Sequence, residues 1–156
     1  MRIPRLYLKQ PLAVGDDTTL DVRCVHYLNN VLRMKTGMQL VLFNGSGLEY
    51  HGILKSLNKK SGIVSIEEAI DPSTESSLKT LLAIGISRGE RMDYVIQKST
   101  ELGVSGIQPL YTEFCEVKLN KKRVGKKHEH WEQVSISACE QSGRVTPPEI
   151  LPPVSL

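Results

Sequence analysis

The stretch from Arg88 to Pro109, RGERMDYVIQKSTELGVSGIQP, constrains the fold most, because a strongly patterned helix runs through a demanding turn into a buried strand. Positions i, i+1, i+4 and i+7 form a stripe that is predicted to face a core; they are Val95, Ile96, Ser99 and Leu102. Polar side chains fall on another face, namely Asp93, Gln97 and Thr100. Gly103 then predicts a left-handed C-cap, and Gln97 and Glu101 are spaced to bond along the helix.

The runs around this helix predict an α/β arrangement. Leu81 to Ile86 is almost continuously apolar, as in a strand buried on both faces of a parallel sheet, and Gly106 to Leu110 is a second such strand. A further helix is expected from about Glu129 to a stop at Gly143, with the start of a third strand at Ile150. This βαβ unit has few strands for two helical layers, so either the chain is a fragment or a partner completes it.

The first half of the chain predicts short strands and tight turns. Gly37 to Phe43 and Glu49 to Leu57 flank Asn44-Gly45-Ser46-Gly47, a hairpin signal, because Asn-Gly supplies the positive φ angles of a tight turn. Another strand is expected around Ile63 to Ile66, and an edge strand from Arg2 to Leu8. These elements predict a small β-barrel or sheet.

One helix, Asp21 to Arg33, is predicted within this half. Its apolar stripe is Val22, Val25, Leu28 and Leu32. Opposite this stripe lie His26, Asn30 and Arg33 at i, i+4 and i+7. That polar, partly cationic face either holds phosphates or is an ordinary solvated surface.

The clearest break in composition is Asp71 to Ser77, which is polar and rich in Ser and Pro, as linkers are. The break predicts one domain at 1–71, a linker at 72–77 and a second domain at 78–156. Together, the elements of the two halves predict an α+β protein overall. The polarity of the remaining chain and the lack of an apolar run of about 18 residues predict a soluble protein without a membrane span. The opening residues do not form a secretory signal.

Charge and cysteine content exclude some function classes. Lys+Arg 20 against Asp+Glu 17 gives a net charge of +3, too little alone to indicate nucleic acid, although cations crowd into a predicted loop from Lys118 to Lys127. Three widely spaced cysteines, Cys24, Cys115 and Cys139, are typical of reduced thiols in a cytoplasmic protein. His128 and His130 have a spacing found in metal sites, but no further ligand is in view, so no metal is expected.

Three motifs then point to a family: HYLNNVLR (His26 to Arg33), RMDYVIQKSTELGVSGIQP (Arg91 to Pro109) and ACEQSGRVTPPEI (Ala138 to Ile150). In this order and spacing the chain resembles the RsmE family of 16S ribosomal RNA uridine-N3 methyltransferases. The resemblance implies a PUA-like RNA-binding β-barrel followed by a SPOUT methyltransferase domain with a deep knot. It also implies a homodimer, S-adenosylmethionine as the methyl donor, and the small ribosomal subunit or its RNA as partner.

The chain departs from the family in one respect. Members continue through a Gly-Pro-Glu-Gly-Gly type loop that threads the knot and holds the cofactor, and no such run occurs in the 156 residues. We therefore expect an incomplete SPOUT domain lacking its C-terminal knot, and a fragment that is inactive alone. Cofactor-binding residues cannot be carried over, since the main loops are expected beyond Leu156.

The resemblance and the local chemistry together give candidate RNA contacts. They are Arg2, Arg5, His26, Asn30, Arg33, Lys121, Lys122, Arg123, Gln141 and Arg144. Arg144 and Glu140 are also weak candidates for catalysis, and no general base can be named. The alternative is a non-catalytic RNA-binding module whose α/β half docks on a partner. A metabolic α/β enzyme is disfavoured, because no glycine-rich phosphate loop follows Ile86.

Overall fold

The computed structural model describes residues 3–73, 75–113 and 121–156, with the side chains at 121–123 outside that description. The chain folds as two compact units, Met1–Thr74 and Glu75–Leu156. Each unit combines a β-sheet with helical structure, which confirms the mixed α+β prediction. None of the described helices combines the length and apolar character needed to cross a membrane.

Unit 1 is built on a five-stranded sheet in the order β1-β3-β4-β5-β2. Its strands are β1 Arg5–Tyr7, β2 Asp17–Thr19, β3 Gln39–Phe43, β4 Glu49–Leu57 and β5 Gly62–Ile70. β1 pairs with β3 in parallel, whereas the other neighbours are antiparallel. The predicted β3–β4 hairpin is confirmed: Gly45 and Gly47 have φ of 87° and 91°, and the Ser46 amide donates to Asn44 Oδ1 at 3.1 Å.

The predicted helix of unit 1 is shorter and of two kinds. Helix α1 covers Val22–His26 and continues directly into a π-helical segment, Tyr27–Val31. Asp21 caps α1 by accepting a hydrogen bond from the Cys24 amide at 2.7 Å. The expected burial of Val22 is wrong, because 81% of this residue is exposed and Cys24 is buried instead.

Unit 2 carries a parallel sheet with two helices. Its elements are β6 Leu81–Gly85, α2 Glu90–Glu101, β7 Gly106–Tyr111, α3 Lys121–Ser142, β8 Glu149–Ile150 and β9 Val154–Ser155. Strand β7 is central and pairs in parallel with β6, β8 and β9. The predicted βαβ unit and the strand at Ile150 are both confirmed.

The end of α2 differs from the predicted stripe. Gly103, with φ of 95°, is the expected left-handed cap, and the amides of Gly103 and Val104 donate to the carbonyls of Thr100 and Ser99 at 3.0 and 3.1 Å. This Schellman turn leaves Leu102 88% exposed and turns Val104 into the core. Thr100, predicted on the polar face, is instead fully buried.

Helix α3 is longer than the sequence predicts. It begins at Lys121 rather than near Glu129, so the lysines and arginine from Lys121 to Lys127 belong to a helix and not to a loop. Residues 114–120 lie outside the description. The helix ends at Ser142, before Gly143 with φ of 89°, as expected. Trp131 anchors α3 in the core of unit 2 and is 1% exposed.

The sheet of unit 2 is covered unevenly within the described residues. Leu82 and Ile84 of β6 pack against the core formed by Met92, Ile96 and Trp131. Leu81, on the opposite face of the strand, is 61% exposed. The expectation that β6 is buried on both faces is therefore wrong for the described part of the chain, because α2 and α3 pack together on one side.

Candidate nucleic-acid interface

A groove of ≈ 580 Å³ in unit 1 brings two predicted site residues together with residues from a distant turn. Two valines line the groove, Val22 and Val25. The other lining residues are polar or cationic, namely His26, Asn29, Asn30, Lys59 and Lys60. The predicted contacts His26 and Asn30 both line it, whereas Arg33 does not. None of the described residues that line the groove carries a carboxylate, and cations and amides favour an anionic ligand.

The turn that carries the two lysines is held rigidly. The Asn58 side-chain oxygen accepts hydrogen bonds from the amides of Lys60 and Ser61 at 2.8 and 2.9 Å. The Asn58 amide donates to the Ser61 carbonyl at 2.9 Å. Asn29 Nδ2, from the π-helical segment, donates to the Asn58 carbonyl at 2.6 Å. One wall of the groove is thereby fastened to the other.

Sequence reasoning missed Lys59, Lys60 and Asn29 as site residues. The lysines lie about thirty residues from His26 along the chain, and only the β4–β5 pairing brings them to α1. A signal was present, because a Lys-Lys pair follows Asn58 in a predicted turn. α-helical spacing leaves Asn29 outside the predicted polar stripe, whereas the π-helical segment alters that spacing.

Arg5, another predicted contact, is occupied within unit 1. Its Nη1 is bonded to Glu49 Oε2, and its guanidinium lies 5.5 Å from the centre of the Phe43 ring. His51 Nε2 lies 2.9 Å from the other oxygen of Glu49. Burial would raise the pKa of Glu49, but the hydrogen bonds from Arg5 and His51 outweigh it and hold the pKa below 4.5. Arg5 therefore stabilises the sheet, and only 12% of its side chain is exposed.

Arg144 is the most engaged of the predicted site residues. Its Nε and Nη2 donate to the two Glu75 oxygens at 3.2 and 2.8 Å, and its Nη1 donates to the carbonyls of Thr100 and Val104, both at 2.9 Å. Arg144 is 6% exposed. Burial would raise the pKa of Glu75, but the Arg144 hydrogen bonds and charge lower it below 4.5. The guanidinium thus ties the end of α2 to the start of unit 2.

The remaining predicted residues are dispersed. Gln141 lines a second groove, of ≈ 610 Å³, between α2 and α3, while Glu140 is half-buried outside that lining. Arg33 is exposed at a φ of 51°. Arg2 lies outside the described residues, as do the side chains of the α3 cations. Those cations are Lys121, Lys122 and Arg123.

The two histidines of the HxH spacing serve separate contacts. His128 Nε2 donates to the Ile150 carbonyl at 2.6 Å, which fastens α3 to β8. His130 Nε2 lies 2.8 Å from Asp93 Oδ2, which joins α3 to α2. Within the residues that the structure describes, no cluster of three or more His, Cys, Asp or Glu side chains could hold a metal ion.

Comparison with known families matches both units. A family model described as an RNA methyltransferase domain matches residues 74–156. A second, described as an RNA methyltransferase PUA domain, matches residues 21–67.

Individual relatives are named as ribosomal RNA methyltransferases. A protein named ribosomal RNA small subunit methyltransferase E from Buchnera aphidicola subsp. Schizaphis graminum is 37% identical over 97% of this chain and 62% of its own length. Its namesake from Bacillus subtilis is 32% identical over 81% of this chain and 50% of its own length. The chain thus spans about three-fifths or less of these curated relatives.

Solved structures agree in fold. A ribosomal RNA small subunit methyltransferase E from Neisseria gonorrhoeae, bound to S-adenosyl methionine, superposes with a TM-score of 0.94 at 40% identity, covering 99% of this chain and 63% of that one. A putative methyltransferase from Legionella pneumophila, in complex with the cofactor SAM, gives a TM-score of 0.95 at 41% identity, covering 99% and 64%.

Proposed function

The chain belongs to the RsmE family of RNA methyltransferases, and from this premise we propose that it serves S-adenosylmethionine-dependent methylation of a uridine at N3 in small-subunit ribosomal RNA. Family models on both units and the fold shared with an S-adenosyl methionine-bound relative support the proposal. The relatives are longer than this chain, and the activity is proposed for the protein as a whole.

We assign the RNA-binding role to a PUA-like barrel at 1–71 and the methyltransferase role to a SPOUT domain at 78–156, joined by a linker at 72–77. The first is supported by the five-stranded sheet of unit 1 and by the PUA family model. The second is supported by the parallel βαβ unit. A homodimer and a cytoplasmic location are proposed on the family resemblance.

The reaction needs a uridine that is not base-paired. N3 lies on the Watson–Crick edge, so the base must be single-stranded or turned out of a helix before its N3 can attack a methyl carbon. The new bond is N3–CH3, the bond that breaks joins the methyl to the donor sulfur, and N3 loses its proton. The protein therefore has to bind and orient RNA as well as the donor.

The groove between α2 and α3 in unit 2 has a polar lining that is only partly engaged in hydrogen bonds of its own. Two of the polar lining residues have partners: Asp93 Oδ2 lies 2.8 Å from His130 Nε2, and Gln97 donates to Glu101 at 3.0 Å. Asp93, which lines this groove, has a second carboxylate oxygen, Oδ1, that is buried without a hydrogen-bond partner among the described residues.

One observation carries the RNA-binding part: the groove of unit 1 joins His26 and Asn30 to two lysines, and none of its described lining residues has a carboxylate. Cationic and amide side chains of this kind contact the phosphates and sugars of nucleic acids and fix their register. The α/β half could instead dock on a partner without catalysis, which is the alternative function.

The test measures RNA binding and methyl transfer in parallel. The protein is mixed with small-subunit ribosomal RNA and S-adenosylmethionine labelled in its methyl group, and the RNA is digested to nucleosides. Binding with label in N3-methyluridine supports methylation. Binding without transfer favours the non-catalytic module, and loss of binding to RNA altogether would overturn both functions.

A further inference from the structure

We propose that Lys59 and Lys60 form, with Asn29, Asn30 and His26, a site for a phosphodiester of single-stranded RNA, with its nucleoside against Val22. This inference rests on the proposed function and deepens it, because it specifies how the RNA strand is held. It adds three residues, Lys59, Lys60 and Asn29, to the contacts that the sequence predicts.

The charge distribution of unit 1 favours an anion at this place. Lys59 and Lys60 are exposed, and within the described part of the chain neither takes part in an ion pair. By contrast, Lys55 on the preceding strand is neutralised, since its Nζ lies 2.7 Å from Asp17 Oδ2. The two groove lysines are therefore not engaged by a carboxylate of the described residues and can contact a ligand, and phosphate is the anion that RNA presents.

The site is pre-organised. Four hydrogen bonds within the turn centre on Asn58, with lengths of 2.8 to 2.9 Å. The Asn29 side chain adds a bond of 2.6 Å to the Asn58 carbonyl. The backbone that bears the lysines is consequently fixed before any ligand arrives, which lowers the entropy lost on binding.

The π-helical segment places two consecutive amides beside the lysines. Its i to i+5 hydrogen bond, from the Leu32 amide to the Tyr27 carbonyl, measures 3.0 Å. Both Asn29 and Asn30 line the groove. Asn29 uses its Nδ2 for the turn, whereas the Asn30 side chain has no hydrogen bond among the described residues. Its amide can donate to a phosphate or ribose oxygen, and π-helical turns are frequent at functional sites.

An apolar wall completes the groove. Val22 is 81% exposed although it lies on the helix that covers the core, and the groove also touches Val25, which is 3% exposed. An exposed valine next to free cations matches the mixed chemistry of a nucleotide, whose sugar and base present apolar surface. In a duplex these surfaces are stacked, so the site is suited to an unpaired strand.

Binding of a fluorescent single-stranded oligouridylate, measured by anisotropy across a salt series, tests the inference. For K59A/K60A the slope of log affinity against log salt should fall by about 1.4, because each phosphate contact on a single strand contributes about 0.7. The affinity should fall about 25-fold near 0.1 M salt and converge with the wild type near 1 M. V22S should bind the oligouridylate more weakly than the wild type does, with an unchanged salt slope. An RNA duplex should bind the wild type more weakly than the single strand does.

The matched control is K9A/K35A, which removes two exposed lysines of the same unit outside the groove. It should retain the wild-type slope. An unchanged slope in K59A/K60A, an equal loss in the control, or equal binding of duplex and single strand would overturn the site. If the wild type binds no RNA, the proposed function fails instead, so the two failures are distinguishable.

Discussion

Arg144 and Glu75 stand 69 residues apart in the sequence, yet the guanidinium and the carboxylate meet through two hydrogen bonds, of 3.2 and 2.8 Å. The same carboxylate accepts from the Thr146 amide at 3.3 Å. Because Arg144 also caps the carbonyls at the end of α2, this pair joins three segments of unit 2. Arg144, which was predicted to contact RNA, thus has a structural role through these hydrogen bonds.

Replacing Glu75 by Gln should destabilise unit 2. The substitution leaves a buried guanidinium without its counter-charge, which costs about 3 kcal/mol, the lower end for a broken buried pair because Glu75 is partly exposed. Denaturant unfolding followed by fluorescence measures it, since Trp131 is the sole tryptophan and lies in the core of unit 2. E129Q, at an exposed position of α3, is the control and should leave the midpoint unchanged. A wild-type midpoint in E75Q would contradict the structural role.

The same pair should make unit 2 sensitive to acid. The folded pKa of Glu75 is lowered from 4.5, so as the pH falls the unfolded chain takes up this proton first. The stabilising contribution is therefore complete above pH 4.5 and is lost as the pH falls through the folded pKa. The difference in unfolding free energy between wild type and E75Q should shrink below pH 4.5. If this difference in unfolding free energy stayed constant from pH 3 to 7, the predicted acid sensitivity of the pair would be wrong.

Replacing Arg5 by Ala should weaken unit 1 without weakening RNA binding. Glu49, 13% exposed, would lose its guanidinium partner at a cost of about 3 kcal/mol. Hydrogen exchange of the β1 and β3 amides should accelerate, while the salt slope for RNA, measured where the variant is folded, should stay at the wild-type value. K9A, at an exposed cation of the same unit, should change neither quantity. A reduced salt slope in R5A would restore Arg5 as a phosphate contact.

Replacing Gly125 by Ala should stabilise unit 2. Gly125 lies inside α3, and a Cβ added there meets no atom within 4 Å. Alanine in a helix interior is favoured over glycine by about 0.8–1 kcal/mol. Trp131 fluorescence in denaturant detects the gain. A loop at this position, as the sequence suggested, would instead leave stability nearly unchanged.

Titration calorimetry of S-adenosylmethionine into the 156-residue chain should give no heat of binding, because two polar side chains that line the α2–α3 groove, Asp93 and Gln97, are already paired with His130 and Glu101. A saturable heat would show that described residues build the cofactor site. In that event D93N and Q97A, which break the two pairs, would locate it by their effect on affinity.

Local patterns in the sequence predicted much of the fold. The hairpin at Asn44–Gly47, the cap at Gly103 and the bond from Gln97 to Glu101 depend on neighbours within a few residues, and each is confirmed. The face of α2 was harder to predict. Its last turn is set by the Schellman geometry, so Thr100 is buried and Leu102 exposed.

The candidate site was only partly predictable for the same reason. His26 and Asn30 follow from helical spacing, but Lys59 reaches them through strand pairing and through a π-helical segment that α-helical periodicity does not describe. For Arg144, the motif from Ala138 to Ile150 predicts a cation that contacts RNA. Its carboxylate partner comes from the predicted linker, a contact that no local pattern reveals.

The carboxylate of Glu75 also decides where this chain can be divided. A piece that starts at the predicted boundary, residue 78, would lack Glu75 and keep Arg144 buried among carbonyls with an unbalanced charge. A piece that starts at Glu75 or earlier would retain the pair. Dissection of the two halves for separate study should therefore cut ahead of Glu75, within the Ser- and Pro-rich stretch.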